Sequence, residues 1–331
     1  MKKLPLLSLC LIQCVALFAT APEMAISGKF SVSEDKQVYF AKGNLQYHCK
    51  NKVWQLAENQ LTTIGVKNTN ISDSYDGWID LFGWSADNAT ALWGISTSTA
   101  PSDYNGSFVD WGKNIGIGWR TLTLSELKYL INHRQKGRTD GDQKYGIAQV
   151  AGVDGIILLP DEFVLPSEAS VFFSFNCGAS QNDFAKQNSY TSEQWTVLEN
   201  AGAVFLPVTG GIREGNKIDD SENDYWLADA LDEDGMGSVF GISNTGLNLA
   251  PLEVYLGAAV RLVYDVPSED TPTALQDVEN VDIYTENGRI VCNSEFQIFD
   301  LLGRNVTRIN GQLNGIYVVK VGDKAQKVIV R

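Results

Sequence analysis

The sequence predicts an α+β body of two helices and mainly antiparallel strands, followed by a small all-β sandwich. Two capping boxes, a Thr-x-x-Glu at Thr123 and a Thr-x-x-Gln at Thr191, open apolar helical segments, and short alternating strands surround them. Five short apolar runs separated by turn residues then fill the last part of the chain, which predicts the sandwich. A chain of 331 residues also usually holds more than one domain.

Composition favours folding and excludes one class of partner. Hydrophobic residues make up 44% of the chain and aromatic residues 10%, which supplies the apolar surface needed to offset conformational entropy. Forty Asp and Glu oppose 26 Lys and Arg, so the formal net charge is −14. Binding to a nucleic-acid backbone needs the opposite balance, and nucleic acid is therefore not an expected partner.

The first 21 residues have the layout of a secretory signal peptide. Lys2 and Lys3 precede an apolar run over residues 4–18, and small residues follow at 19–21. Pro22 suits cleavage directly after Ala21 poorly, so cleavage a few residues away is an open alternative. The run is too short to span a membrane, and no later apolar run is long enough, so the sequence predicts no transmembrane segment.

The body, residues 22–266, begins with a predicted hairpin. Apolar residues alternate over 29–33 and 37–41 on either side of a charged turn. The stretch 68–118 shows no helical or strand period and is rich in Asn, Asp, Ser, Gly and Trp, so it is predicted to be a loop held down by aromatic side chains.

The two helices and the remaining strands of the body follow in order. Thr123 with Glu126 opens the first helix, and a second helix is predicted over 191–200. Apolar runs that end in proline predict buried strands at 155–160 and 203–207, and a strand meander is predicted over 225–264. All of these predicted elements fall between residues 118 and 264.

The C-terminal region is predicted to be a separate domain. Two prolines and several acids and hydroxyls mark a linker at 267–275, and five short strands follow in 276–331. Residues 276–331 carry seven acidic and seven basic residues, so the excess of negative charge lies in the body.

The domain at 276–331 resembles the C-terminal sorting domain of type IX secretion cargo from Bacteroidota. The matching motifs are an Asp-x-x-Gly-Arg turn, a Leu-x-x-Gly-x-Tyr turn and a lysine-bearing last strand. Their residues are Asp300, Gly303, Arg304, Gly315, Tyr317 and Lys327. The resemblance implies passage through the periplasm, recognition by the type IX secretion machinery, and a final location outside the cell or on its outer surface. An ordinary C-terminal β-domain is the alternative.

The body resembles the formylglycine-generating-enzyme-like (sulfatase-modifying-factor-like) branch of C-type lectin folds. The resemblance rests on the helix entry at 119–130 and on later markers at 205–210, 225–226 and 257–263. Enzymes of that branch use a paired-cysteine copper site near the end of the domain. The chain has no cysteine between Cys177 and Cys292, so that activity is not implied. The Glu-Pro-Asn and Gln-Pro-Asp triplets of calcium-binding lectins are also missing from the sequence.

An acidic segment beside two aromatic residues is the candidate site for a metal and a ligand. Carboxylates in a loop can supply the oxygen shell that calcium prefers. The candidate ligands are Asp219, Asp220, Glu222 and Asp224. A solvated acidic loop is the more common reading of such a run. The candidate ligand contacts are Tyr225, Trp226 and Arg213, although tryptophans spaced along a loop are more often buried.

Catalytic chemistry has weaker support. His133 and Cys177 are the only conceivable base and nucleophile pair, and Asp161 beside Glu162 is half of a possible glycosidase pair. Cys49, Cys177 and Cys292 show no zinc spacing, and an odd number leaves at least one thiol without a disulfide. We therefore expect a binding or adhesion protein for an unknown glycan or protein, and no enzyme. The alternatives are a secreted cysteine peptidase or glycosidase, and a structural component of the cell envelope.

Overall fold

The computed structural model divides the chain into two compact units, a body that ends at Val266 and a C-terminal unit that begins at Pro267. The residues described are 21–65, 75–87, 104, 106–134, 145–213, 217–219, 223–230, 235–267, 283–286, 288–292, 296–300, 304–321 and 324–330. The predicted signal peptide, apart from Ala21, and the predicted linker, apart from Pro267, lie outside these residues. No helix in the described ranges is both long and apolar enough to cross a membrane.

Strands dominate the body and helices are few. In chain order the elements are β1 Ala25–Ser31, β2 Gln37–Ala41, β3 Leu45–His48, β4 Val53–Leu56, β5 Trp78–Ile79, β6 Trp119–Thr121, α1 Leu124–Lys128, β7 Tyr145–Val150, β8 Val153–Leu158, α2 Phe184–Gln187, β9 Ser189–Tyr190, α3 Ser192–Asn200, β10 Val204–Pro207, β11 Gly211–Arg213, β12 Lys217–Asp219, β13 Asp224–Ala230, β14 Met236–Ser243, β15 Gly246–Glu253 and β16 Leu262–Asp265.

The strands form several small, mainly antiparallel sheets. Their orders are β1-β2-β16-β6, β10-β8-β7-β9, β13-β14-β15, β4-β3-β5 and β11-β12. The β7–β9 pair is parallel. The predicted hairpin is confirmed as β1–β2, and the mixed α+β class is confirmed at this level. One strand differs from the prediction: β16 leaves the meander and pairs with β2 and β6, so the last strand of the body joins its first sheet.

Both predicted capping boxes are present and set where the helices begin. Thr123 Oγ1 accepts a bond from Glu126 N at 3.2 Å, and Thr123 N donates to Glu126 Oε2 at 3.0 Å. Thr191 and Gln194 make the same reciprocal pair at α3. After five residues α1 widens into a π-helical turn that buries Leu130. The short helix α2 was not predicted from the sequence.

The tryptophans hold the long loop against the body, as predicted for the parts of 68–118 that the structure describes. Trp84 is 3% exposed and Trp111 is 2% exposed. The Trp84 ring meets Trp111 edge-on at 5.9 Å and Trp226 at 5.3 Å between ring centroids. Trp93 lies outside the described residues. Burial of these large rings adds to the backbone bonds from Phe82 N to Ala258 O and from Trp84 N to Val254 O in ordering the segment.

The five strands predicted for the C-terminal unit are present. They are β17 Ile283–Glu286, β18 Arg289–Cys292, β19 Gln297–Phe299, β20 Gly315–Val321 and β21 Lys324–Val330. They form two antiparallel sheets, β17-β18 and β19-β20-β21. Ile290 of the first sheet shares one apolar cluster with Ile298 and Val319 of the second, which gives this small unit its own core.

Candidate functional site

A polar groove of about 650 Å³ opens on the body between the β7–β8 hairpin, α2 and the β14–β15 turn. Amide and carboxylate side chains dominate its walls. The polar residues that line it include Gln149, Asp154, Asn182, Asp183, Asn223 and Asn244. A groove of this volume is in the range of small-molecule sites.

The first wall is built on paired strand positions. Gln149 of β7 lies opposite Asp154 of β8 in the antiparallel ladder, so both side chains share one face. Gln149 Nε2 donates to Asp154 Oδ1 at 2.9 Å. Their backbones are also fixed, because Gln149 N donates to Asn188 O and Val208 N donates to Asp154 O. The sheet thus holds an amide and a carboxylate side by side at the groove.

The second wall is the start of α2. Asp183 caps this short helix by accepting a bond from Lys186 N at 3.0 Å, and its Oδ2 lies 3.1 Å from Lys186 Nζ. The backbone bond from Lys186, followed by the bond from its ammonium group, lowers the pKa of Asp183. Asn182 takes a positive φ of 49°, which asparagine tolerates better than most residues. Phe184 adds a half-buried aromatic ring between these polar groups and the apolar core.

The third wall is the turn between β14 and β15. Leu247 N donates to Tyr145 Oη at 3.1 Å, which ties this turn to β7. Asn223 is 8% exposed, and its Oδ1 accepts a bond from Gly210 N at 3.1 Å. Ser243 and the exposed Asn244 complete the wall. The groove is therefore lined by segments that are far apart in sequence, among them the β7–β8 hairpin, the start of α2, the β14–β15 turn and Asn223 before β13.

The lining offers several hydrogen-bonding groups to a polar ligand. Carboxylates accept, and side-chain amides both donate and accept, which suits ligands rich in hydroxyl groups. Within the described part of the lining there is no histidine, cysteine, lysine or arginine.

Tyr225 and Trp226 do not lie on an exposed binding face, contrary to the sequence expectation. Tyr225 is fully buried and Trp226 is 1% exposed. Tyr225 Oη donates to Pro207 O at 2.7 Å, and Trp226 Nε1 donates to Phe82 O at 2.6 Å. Their strand β13 is covered on both faces, so consecutive side chains enter two different apolar clusters. The polar atom of each side chain therefore bonds to backbone inside the core, and neither ring is exposed to a ligand in this structure.

The predicted calcium ligands are not gathered into a site by the described residues. Asp220 and Glu222 lie outside these residues, and only the backbones of Asp219 and Arg213 are described, in the β11–β12 pair. Asp224 is 7% exposed and its carbonyl accepts a bond from Ala259 N. Where the structure describes the chain, no three His, Cys, Asp or Glu side chains are grouped for a metal. Calcium binding by this segment stays a prediction.

The candidate catalytic carboxylate Asp161 has a structural role. Its side chain is fully buried, and its Oδ1 lies 3.2 Å from Arg134 Nη1. Ser31 Oγ and Gln37 Nε2 each donate to its Oδ2 at 2.6 Å. The neighbouring Glu162 is exposed. Asp161 thus holds four segments together in the core, and Glu162 is the exposed member of this candidate half-pair.

The other chemistry-bearing residues are described more briefly. His133 is exposed at the end of the first helical segment, with its ring 6.3 Å from that of Tyr129. Cys177 is half-buried against the apolar cluster around Trp195 and Phe205. Cys49 is buried and Cys292 is half-buried.

The residues that resemble a sorting-domain motif form two braced turns in the C-terminal unit. Asp300 accepts bonds from Arg304 N at 2.9 Å and from Arg304 Nε at 2.7 Å. Gly315 has φ +120°, in the region that favours glycine, and Tyr317 Oη donates to Asn314 O at 3.2 Å. Gly303 lies outside the described residues. Lys327 lies on β21 opposite Val318.

Comparison of the chain with protein-family models, with curated proteins and with solved structures finds no match.

Proposed function

We propose that this chain is an exported binding protein that recognises a hydroxyl-rich ligand, a glycan in the simplest case, in the polar groove. One observation carries the proposal: amides and carboxylates from four separated segments converge on one groove beside the ring of Phe184. Hydroxyl groups of a sugar can donate to carboxylates and exchange bonds with amides, and an aromatic ring suits its apolar face.

The location is part of the same proposal. The signal-peptide layout of residues 1–21 and the resemblance of residues 276–331 to a type IX sorting domain support export to the outer surface or the medium. The resemblance of the body to C-type lectin folds supports a role in binding. The paired turns at Asp300 and Gly315 are compatible with a sorting signal that is read as a folded unit.

Oligosaccharide-array binding by the full chain tests the proposed ligand class. Asn244→Ala and Gln149→Ala remove one polar group from each of two groove walls, and both are expected to weaken binding about tenfold. Asn200→Ala, at the exposed end of α3, is the matched control and should bind as the wild type does. Absence of any oligosaccharide binding, or equal binding by all four proteins, would contradict a glycan site in this groove.

Deletion of residues 276–331 tests the proposed route. The truncated chain is expected to remain in the periplasm of its native host, because the sorting unit is missing. Fractionation with an antibody against the body measures this. Normal surface display of the truncated chain would refute the sorting role without affecting the groove.

A further inference from the structure

We infer that the groove accepts neutral and amine-bearing glycans and rejects glycans that carry carboxylate or sulfate groups. This inference rests on the proposed function, and it names the ligand class by its charge. It follows from the charges on the groove walls and from the partners of each charge.

Two carboxylates face the groove from different walls, Asp154 on β8 and Asp183 before α2. Lys186 offsets the second, because its ammonium group lies 3.1 Å from Asp183 Oδ2. Asp154 has a different partner: the neutral amide of Gln149 donates to its Oδ1. Among the side chains that the structure describes, no cation lies within ion-pair distance of Asp154, so its carboxylate has no opposing charge on this wall.

An uncompensated carboxylate in a groove favours some ligands and opposes others. It accepts only, so a sugar hydroxyl or a protonated amine can donate to it in a charge-assisted hydrogen bond. A uronate or sulfate group must instead lose water beside a like charge, with no basic side chain in the described lining to receive it. The formal net charge of −14 on the chain acts in the same direction at long range.

The local geometry allows this charge to be removed without disturbing the fold. Asparagine has the shape of aspartate, and the bond from Gln149 Nε2 can be kept by its side-chain oxygen. The backbone of residue 154 is held by the β7–β8 ladder and by Val208 N. Asp154→Asn is therefore expected to fold as the wild type does, which circular dichroism and thermal unfolding check.

The test uses the full chain and oligosaccharides in matched pairs, such as galactose trimers and their counterparts with the C6 hydroxymethyl group oxidised to carboxylate. At low salt, each neutral oligosaccharide that binds is expected to bind at least about tenfold more tightly than its carboxylate counterpart. Asp154→Asn should reduce that ratio severalfold. Asp35→Asn, an equal change of net charge at an exposed residue outside the groove lining, is the control and should leave the ratio unchanged.

The outcomes separate this inference from the proposed function. Equal or tighter binding of the carboxylate members overturns the charge selection while glycan binding stands. An equal change of the ratio in Asp154→Asn and Asp35→Asn also overturns it, because the net charge alone is then responsible. Binding of neither member of any pair contradicts the proposed function itself.

Discussion

Replacing Arg134 by methionine should destabilise the body strongly, because it leaves a buried carboxylate without its cation. The side chains of Arg134 and Asp161 are both fully buried, and Arg134 Nη1 lies 3.2 Å from Asp161 Oδ1. The same Nη1 donates to Leu159 O at 2.9 Å, and the guanidinium lies over the ring of Phe30 at 5.3 Å from its centroid. Methionine can fill much of the volume of the arginine stem, so the change removes mainly charge and hydrogen bonds.

The magnitude follows from what remains around the carboxylate. In Arg134→Met, Asp161 keeps two neutral donors, Ser31 Oγ and Gln37 Nε2. Breaking a buried pair in this way typically costs about 3–5 kcal/mol, whereas removing both charges together is often close to neutral. We therefore expect the double variant Arg134→Met with Asp161→Asn to be more stable, by about 1 kcal/mol or more, than the sum of the single changes predicts.

Urea unfolding of the two single variants, the double variant and the wild type, followed by tryptophan fluorescence, measures this cycle. Arg134→Lys is the matched control, because it keeps a cation and loses the planar fork. A loss below about 1 kcal/mol in Arg134→Met, or strictly additive behaviour of the double variant, would refute the reasoning from the buried pair.

Three further predictions concern a charge, a glycine and a core tryptophan. Burial raises the pKa of Glu126, but the bonds from Arg120 and Thr123 outweigh it and hold the pKa below its ordinary value. The ionised Glu126 therefore stabilises the fold fully at pH values above its pKa in the unfolded chain, and this contribution is lost as the pH falls through its lower pKa in the folded chain. Glu126→Gln should therefore make the free energy of unfolding, measured against pH, fall less steeply on the acid side. Gly202→Ala should cost more than Gly152→Ala in thermal unfolding: both have positive φ, but only the first would bring a Cβ within 2.7 Å of backbone. In urea unfolding, Trp226→Ala should lower the free energy of unfolding by about 3–5 kcal/mol, and Trp226→Phe should lower it clearly less. Phenylalanine keeps most of the buried ring area and loses only the N–H bond to Phe82 O. Nearly equal losses in the two variants would instead assign the stabilisation to that hydrogen bond.

The elements that the sequence predicted well are those whose cause is local. A capping box joins residues three positions apart, so Thr123 with Glu126 and Thr191 with Gln194 mark their helices whatever surrounds them. The predicted hairpin and the five C-terminal strands likewise rest on alternation and turn residues within a few positions. The short α2 was missed because four residues carry too little periodicity to stand out.

The expectation that Tyr225 and Trp226 are exposed differs from the structure, because exposure had to be inferred from local sequence. A run of acids followed by Tyr225 and Trp226 resembles an exposed binding segment, yet both rings are in the core. Whether a tryptophan covers a loop or meets a ligand depends on what packs against it, and the partner here is Phe82, 144 positions away. The burial of Asp161 could not be inferred locally either, because Ser31, which donates a hydrogen bond to its side chain, is 130 positions away.

The sequence alone therefore determined the local elements and the acidic character of the body, because these depend on neighbouring residues and on composition. Only the tertiary structure decided which aromatic side chains are buried, which carboxylates are held in ion pairs, and where a groove forms. The groove joins Asp154, Asp183 and Asn244, which no local pattern connects. Their proximity is a product of sheet pairing and core packing between distant segments, and these are set by the whole chain at once.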